Sequence, residues 1–218
     1  MANRVANPVR EEARHWLPSQ GVDPAPLAEL NSECLGLLAM RAAEADGTAA
    51  VPPLLHAMRD LWVELPAHAV RRLSAAPFVL FDAGFAAAPR WLELRTTGVH
   101  DASIRTGAGY FEPVAARSIT RRMLVYGWHL ARSRPRAACL VFGATLPAVE
   151  SLAACSLSAL EAAAERNADT LRPRWANQHG FWRELLRTAS AGADSRLHEL
   201  LLGGVQRLAA DTLAAHSP

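Results

Sequence analysis

Apolar residues recur at the three-to-four spacing of a helix along most of the chain. Leu27, Leu30, Cys34, Leu37 and Leu38, with Arg41 closing the stripe, predict a first helix that ends near Asp46 and Gly47. Pro52 and Pro53 suit the first turn of a second helix, where the missing proline N–H is not needed. That helix would carry Leu54, Leu55, Met58, Leu61 and Trp62 on one face. A short third helix follows Pro66, with Val70 and Leu73 inward and Arg71 and Arg72 outward. Pro77 then opens Phe78, Val79, Leu80 and Phe81, an apolar run that periodicity leaves open as a short strand or a buried turn.

Between Thr96 and Tyr110 the pattern lapses into Thr, Gly, Asp and Ser. This reads as a linker or mobile loop. Helical spacing resumes after Pro113. It predicts one helix over Val114–Ser133, three shorter ones over Arg136–Phe142, Leu146–Ala154 and Leu157–Asn167, and two more after Pro173, over Gln178–Thr188 and Ser195–Leu213. Ser156 and Ser158 are candidate caps, with Glu161 at capping-box spacing from Ser158. The expected organisation is a flexible lead over 1–24, an N-terminal helical lobe over 25–96, a linker over 97–112 and a C-terminal helical lobe over 113–218.

Composition supports that outline. The chain has 218 residues, half of them hydrophobic, enough for a sizeable core. Alanine and leucine dominate over the β-branched and aromatic residues that favour sheet. The expected fold class is therefore all-α, a two-lobed helical bundle. The most apolar stretch, Ala137 to Leu160, is interrupted by Gly143, Pro147 and Glu150, so it reads as buried helices rather than a membrane span. Cys34, Cys139 and Cys155 are odd in number and set in apolar helical stretches, where thiols pack as small hydrophobes. A reducing cytoplasm is the expected compartment.

Charge separates the two halves. Residues 1–112 carry 10 arginines against 13 acids, and residues 113–218 carry 13 against 8. Most of the difference lies between Pro113 and Val149, which holds Arg117, Arg121, Arg122, Arg132, Arg134 and Arg136 and no acid. Arginine forks suit phosphate oxygens, so these six are the candidate nucleic-acid contacts, with a solvated face neutralised by acids of the other lobe as the alternative.

Chemistry of other kinds finds little footing. All 23 basic residues are arginine, which removes P-loop, Schiff-base and kinase-type lysines. No Cys or His pair has metal-ligand spacing, no G-x-S-x-G elbow occurs, and the Gly107–Gly109 pair is followed by Glu112 where a dinucleotide loop needs glycine. No catalytic residue, metal or cofactor is expected. Of the six tryptophans, Trp62 and Trp128 fall on apolar faces and are expected in the core. Trp175 and Trp182 sit among Arg172, Arg174 and Arg183, which makes Arg174, Trp175 and Trp182 candidate partner contacts, against core packing as the alternative.

Gly143 ending a helix, Leu152-Ala153-Ala154 before Ser156-Leu157, Ala164-Glu165 and Asn167 at the next helix end, and Arg174 followed by Trp175 together make Pro135 to Trp175 resemble FlhD. FlhD is the helical subunit of the FlhD/FlhC transcriptional master regulator. The resemblance covers about a fifth of the chain. It implies a non-enzymatic transcription activator subunit, acting on DNA in an oligomer with a zinc-bearing FlhC-like partner. Leu171 stands where the family has a cysteine, a departure from its disulfide-linked dimer. The chain is also similar to the SctK family, cytosolic adapters of type III secretion sorting platforms, in its arginine content, its helices and its Trp-containing segment from Trp175 to Leu186. That similarity implies a secretion-platform protein as partner instead. Homo-oligomerisation is compatible with both.

Overall fold

The computed structural model describes residues 23–44, 51–85 and 109–214. Nearly all of the lead expected over 1–24, and most of the linker expected over 97–112, lie outside the described residues. So do Trp16 and Trp91. The fold is an all-α, two-lobed helical bundle with one small two-stranded antiparallel sheet.

Helix α1 (Ala25–Ala43) buries Leu27, Leu30, Cys34 and Leu38 as its spacing predicts and Leu35 with them, while Leu37 is only half-buried. Burial pushes the Cys34 thiol well above its ordinary range, so this cysteine acts as a small hydrophobe. The expected second helix is instead two short ones, α2 (Pro53–His56) and α3 (Arg59–Val63). Met58 leaves helical geometry at φ −141°, yet Leu54, Leu55, Met58 and Trp62 all reach the core. A kinked pair serves the same apolar positions as one continuous helix, so the spacing did not reveal the break. Helix α4 (Ala67–Ser74) follows Pro66 and buries Ala69 and Leu73.

The apolar run at Phe78–Phe81 is mostly an anchored loop. Asn31, buried in α1, donates from Nδ2 to the Phe78 carbonyl at 3.0 Å and accepts at Oδ1 from the Leu80 N–H at 2.9 Å. One amide thus satisfies two backbone groups that would otherwise be buried unpaired. Pairing as a strand begins only at β1 (Phe81–Asp82), which meets β2 (Arg172–Pro173) with Phe81 opposite Pro173.

Helix α5 (Pro113–Ser133) is the centre of the second lobe. Its buried face, from Ala116 through Ile119, Met123 and Leu124 to Leu130, packs against α6 (Pro135–Phe142), α7 (Leu146–Ala153) and α8 (Leu157–Asn167). Helix α6 ends at Gly143 in the left-handed region, and Thr145 caps α7 by accepting from the Ala148 N–H. Helix α8 is capped by Ser156, which accepts from the Ala159 N–H. Ser158, the other cap candidate, lies inside the first turn.

Helices α6 and α7, which contain most of the apolar stretch, are bent by 115° at Gly143–Thr145. No single helix among the described residues is long and apolar enough to cross a membrane. Helix α9 (His179–Ala191) belongs to the second half of the chain but packs against α3 and α4 of the first. The last helix, α10 (Asp194–Ala214), lies across α9 and α6. The two lobes therefore share one continuous core, in which Trp62, Trp182, Phe78, Phe81 and Phe142 are fully buried.

Candidate nucleic-acid interface

The six arginines of the acid-free stretch divide into two groups of three. Arg117 and Arg121 lie four residues apart, one turn along the same face of α5, and α8 runs antiparallel beside that face. Arg117 Nε lies 3.6 Å from Glu165 Oε2, and Arg121 Nη2 donates to Glu161 Oε1 at 2.6 Å. Arg122, turned toward α1, pairs with Glu33. All three pairs are substantially exposed, so each contributes only about 0–1 kcal/mol to stability. Their chemical effect is larger: carboxylates occupy donor edges that a phosphate would need.

Among the described residues of the first lobe, Glu33 is the acid that pairs with one of these six arginines. Glu161 and Glu165 come from the second lobe itself.

Arg132, Arg134 and Arg136 are exposed at the corner where α5 passes into α6. Pro135 starts α6 immediately after α5 ends, so the three cations are gathered at one turn. Among the described residues neither Arg132 nor Arg136 forms an ion pair with a carboxylate. The Arg132 guanidinium lies 4.7 Å from the centroid of the Trp128 ring. Trp128 is half-buried rather than in the core, and its indole N–H donates to the Cys155 carbonyl at 3.0 Å. Sequence reasoning assigned Trp128 to packing alone. The signal that was present is its four-residue spacing from Arg132, which puts the two side chains on one face.

The second candidate cluster is internal. Arg174 is buried, its Nε donating to the Val79 carbonyl at 2.7 Å and its Nη2 to the Phe142 carbonyl at 2.5 Å, with Asp82 Oδ1 3.9 Å from Nη1. Burial draws this guanidinium below the usual arginine range, opposed by the Asp82 and Asp211 carboxylates. Trp182 is fully buried and donates its N–H to the Arg174 carbonyl at 2.7 Å. Both side chains are buried in this fold.

Trp175 is half-buried at φ 50°. It stands edge-on to Phe78 and Phe181, and its N–H donates to Asp211 Oδ2 at 3.2 Å. The Asp211 bond ties Trp175 to α10, and of the three candidate partner residues Trp175 is the one not fully buried. Arginine–tryptophan neighbours in sequence gave no hint of which would be inside.

Elsewhere, an open groove between α4 and the end of α9 is lined by His68, Arg71, Arg72 and Gly192. Arg72 donates to the Ala189 carbonyl at 3.3 Å and lies 3.0 Å from Asp194, while His68 Nε2 sits 3.0 Å from the Ser190 carbonyl. Arg72 and His68 thus cap the carbonyl end of α9, where the helix dipole favours positive charge. Among the described residues no three His, Cys, Asp or Glu side chains converge as metal ligands. No protein-family model, curated protein or solved structure matches this chain.

Proposed function

We propose that this chain is a non-enzymatic subunit of a transcription regulator that touches DNA through backbone phosphates, working with an FlhC-like partner. The observation that carries this reading is the α5–α6 corner, where Arg132, Arg134 and Arg136 stand exposed at one turn within a stretch that contains no acid. Phosphate contacts position a protein on a duplex without reading bases, which suits a subunit whose partner supplies sequence recognition. The test is binding of the full chain to a fluorescein-labelled DNA duplex by anisotropy over a salt series. Each phosphate contact releases counterions, so log affinity should fall linearly with log salt. Arg132→Ala with Arg136→Ala should flatten that slope by about two. Binding that ignores salt, or an unchanged slope in the double variant, rejects the reading.

A second reading has its own support. The pairing of Arg117, Arg121 and Arg122 with Glu165, Glu161 and Glu33 removes half of the charge that favours DNA. This suits a protein-binding adapter of a type III secretion sorting platform. Recovery of ring and ATPase components from native lysate, together with no duplex binding, would select the adapter. Salt-dependent duplex binding selects the regulator.

A further inference from the structure

Along α5 and α8 the facing residues match turn by turn: Arg117 with Glu165, Arg121 with Glu161, and Trp128 with the Cys155 carbonyl just before α8 begins. Arg132 lies one turn further along α5, past the start of α8, where that helix has no acid to offer. Its contact there is the Trp128 ring, 4.7 Å away. The difference is chemical as well as geometric. A carboxylate engages the edge of a guanidinium, where all the N–H donors lie, whereas an aromatic ring engages its face and leaves the edge open. Arg121 donates to a carboxylate and Arg117 faces one at 3.6 Å, whereas the Arg132 guanidinium lies over an aromatic ring.

We propose that Trp128 is a positioning residue that holds Arg132 as a preorganised phosphodiester contact. The proposal rests on the DNA reading above and sharpens it by naming the side chain that makes one arginine of the corner more effective than its neighbours. Trp128 is itself fixed. Its indole N–H is tied to the Cys155 carbonyl and its ring is half-buried against the core, so Arg132 stacks on a surface that does not move with it. A side chain pre-set in this way loses less rotamer freedom when it binds phosphate.

The test uses the full chain, a labelled DNA duplex and anisotropy over a salt series, with vesicles containing phosphatidylglycerol as a second phosphate source. Arg132→Ala should weaken duplex binding severalfold and lower the salt slope by about one. Arg132→Lys sits at an exposed position that folding tolerates and keeps the charge but not the planar face. It should keep the slope and still bind more weakly than the parent. Trp128→Phe retains a ring but loses the N–H tie to the Cys155 carbonyl, so its binding should fall between the parent and Trp128→Leu. Trp128→Leu should approach Arg132→Ala, and the double variant should bind no worse than Arg132→Ala alone, the non-additivity expected of a coupled pair.

If Arg132→Lys binds as well as the parent, or the Trp128→Leu and Arg132→Ala effects simply add, the stacking has no role and the proposal is overturned. If Arg136→Ala lowers the slope while Arg132→Ala does not, the proposal falls and the DNA reading stands. Vesicle binding without duplex binding overturns both.

Discussion

Two arginine–tryptophan pairs in this chain have opposite fates. Around Arg174 the guanidinium lies inside the fold, its donors given to the Val79 and Phe142 carbonyls, while Trp182, also buried, donates to the Arg174 backbone carbonyl. At the α5–α6 corner Arg132 lies in solvent, stacked on a half-buried Trp128, with no carboxylate partner among the described residues. The residue types are the same. What differs is whether backbone carbonyls or water surround the guanidinium edge, and that decides whether the arginine holds the protein together or is available to a ligand.

The strongest way to break this comparison is to remove each arginine in turn. Arg174→Met leaves the Val79 and Phe142 carbonyls and Asp82 without their donor, and the expected loss is about 3–5 kcal/mol. Arg132→Ala, at an exposed position, should change stability by less than about 0.5 kcal/mol. Urea denaturation followed by circular dichroism measures both. Comparable losses would show that Arg132 is structural after all.

A smaller effect probes how tightly the interior is closed. Gly143 sits at φ 57°, and a Cβ there would come within 2.6 Å of Leu208 Cδ2 and 3.3 Å of Arg174 Nη1. A Cβ on Gly204 would meet Phe78 Cζ at 2.5 Å. Alanine at either position should cost about 1–3 kcal/mol, because overpacking must push α10 away from the rest of the core. Gly180 in α9 has open space around its Cβ position, so Gly180→Ala should be neutral or stabilising by up to about 1 kcal/mol. Thermal unfolding of the three variants orders them, and a Gly204→Ala protein as stable as the parent would mean that α10 is loosely docked.

These tests concern what spacing alone did not reveal. Helix positions were legible because burying one face imposes its own period, and α1, α5, α8 and α10 lie close to where that period places them. The break between α2 and α3 was not legible, since Leu54, Leu55, Met58 and Trp62 fit one helix or two. The short strand or turn at Phe78–Phe81 was legible, but its pairing with Arg172–Pro173 was not, because that partner is set by tertiary folding rather than by any local alternation. The six basic residues of 113–149 were legible as a cluster, but their division was not. Glu33, Glu161 and Glu165 reach them only after α1 and α8 have packed on α5. Whether Arg174 and Trp182 were core or partner contacts was not legible for the same reason: burial is a property of the assembled core.

The ion-pair row permits a finer test. Arg121→Ala and Glu161→Ala, alone and combined, should give a coupling of less than about 1 kcal/mol, because both side chains are more than half exposed. Salt at about 1 M should erase most of it, since screening then acts over roughly 3 Å. A coupling that survives high salt would mean that the row is a structural clasp between α5 and α8 rather than a solvated face.

The last prediction concerns ligand binding and should barely register in stability. If Arg117 and Arg121 are silent only because Glu165 and Glu161 occupy their edges, then Glu161→Ala with Glu165→Ala should free two guanidinium groups without moving the backbone. The fold should change in stability by less than about 1 kcal/mol, the combined value of two exposed pairs being small. Duplex binding should strengthen severalfold, and the salt slope should steepen by up to about two as two more phosphates are neutralised. The freed residues share the α5 face that carries Trp128 and Arg132, so a duplex tracking along that face would meet them in sequence. A slope that stays at the parent value, with binding unchanged, would mean that DNA does not run along α5 and that any phosphate contact is confined to the α5–α6 corner.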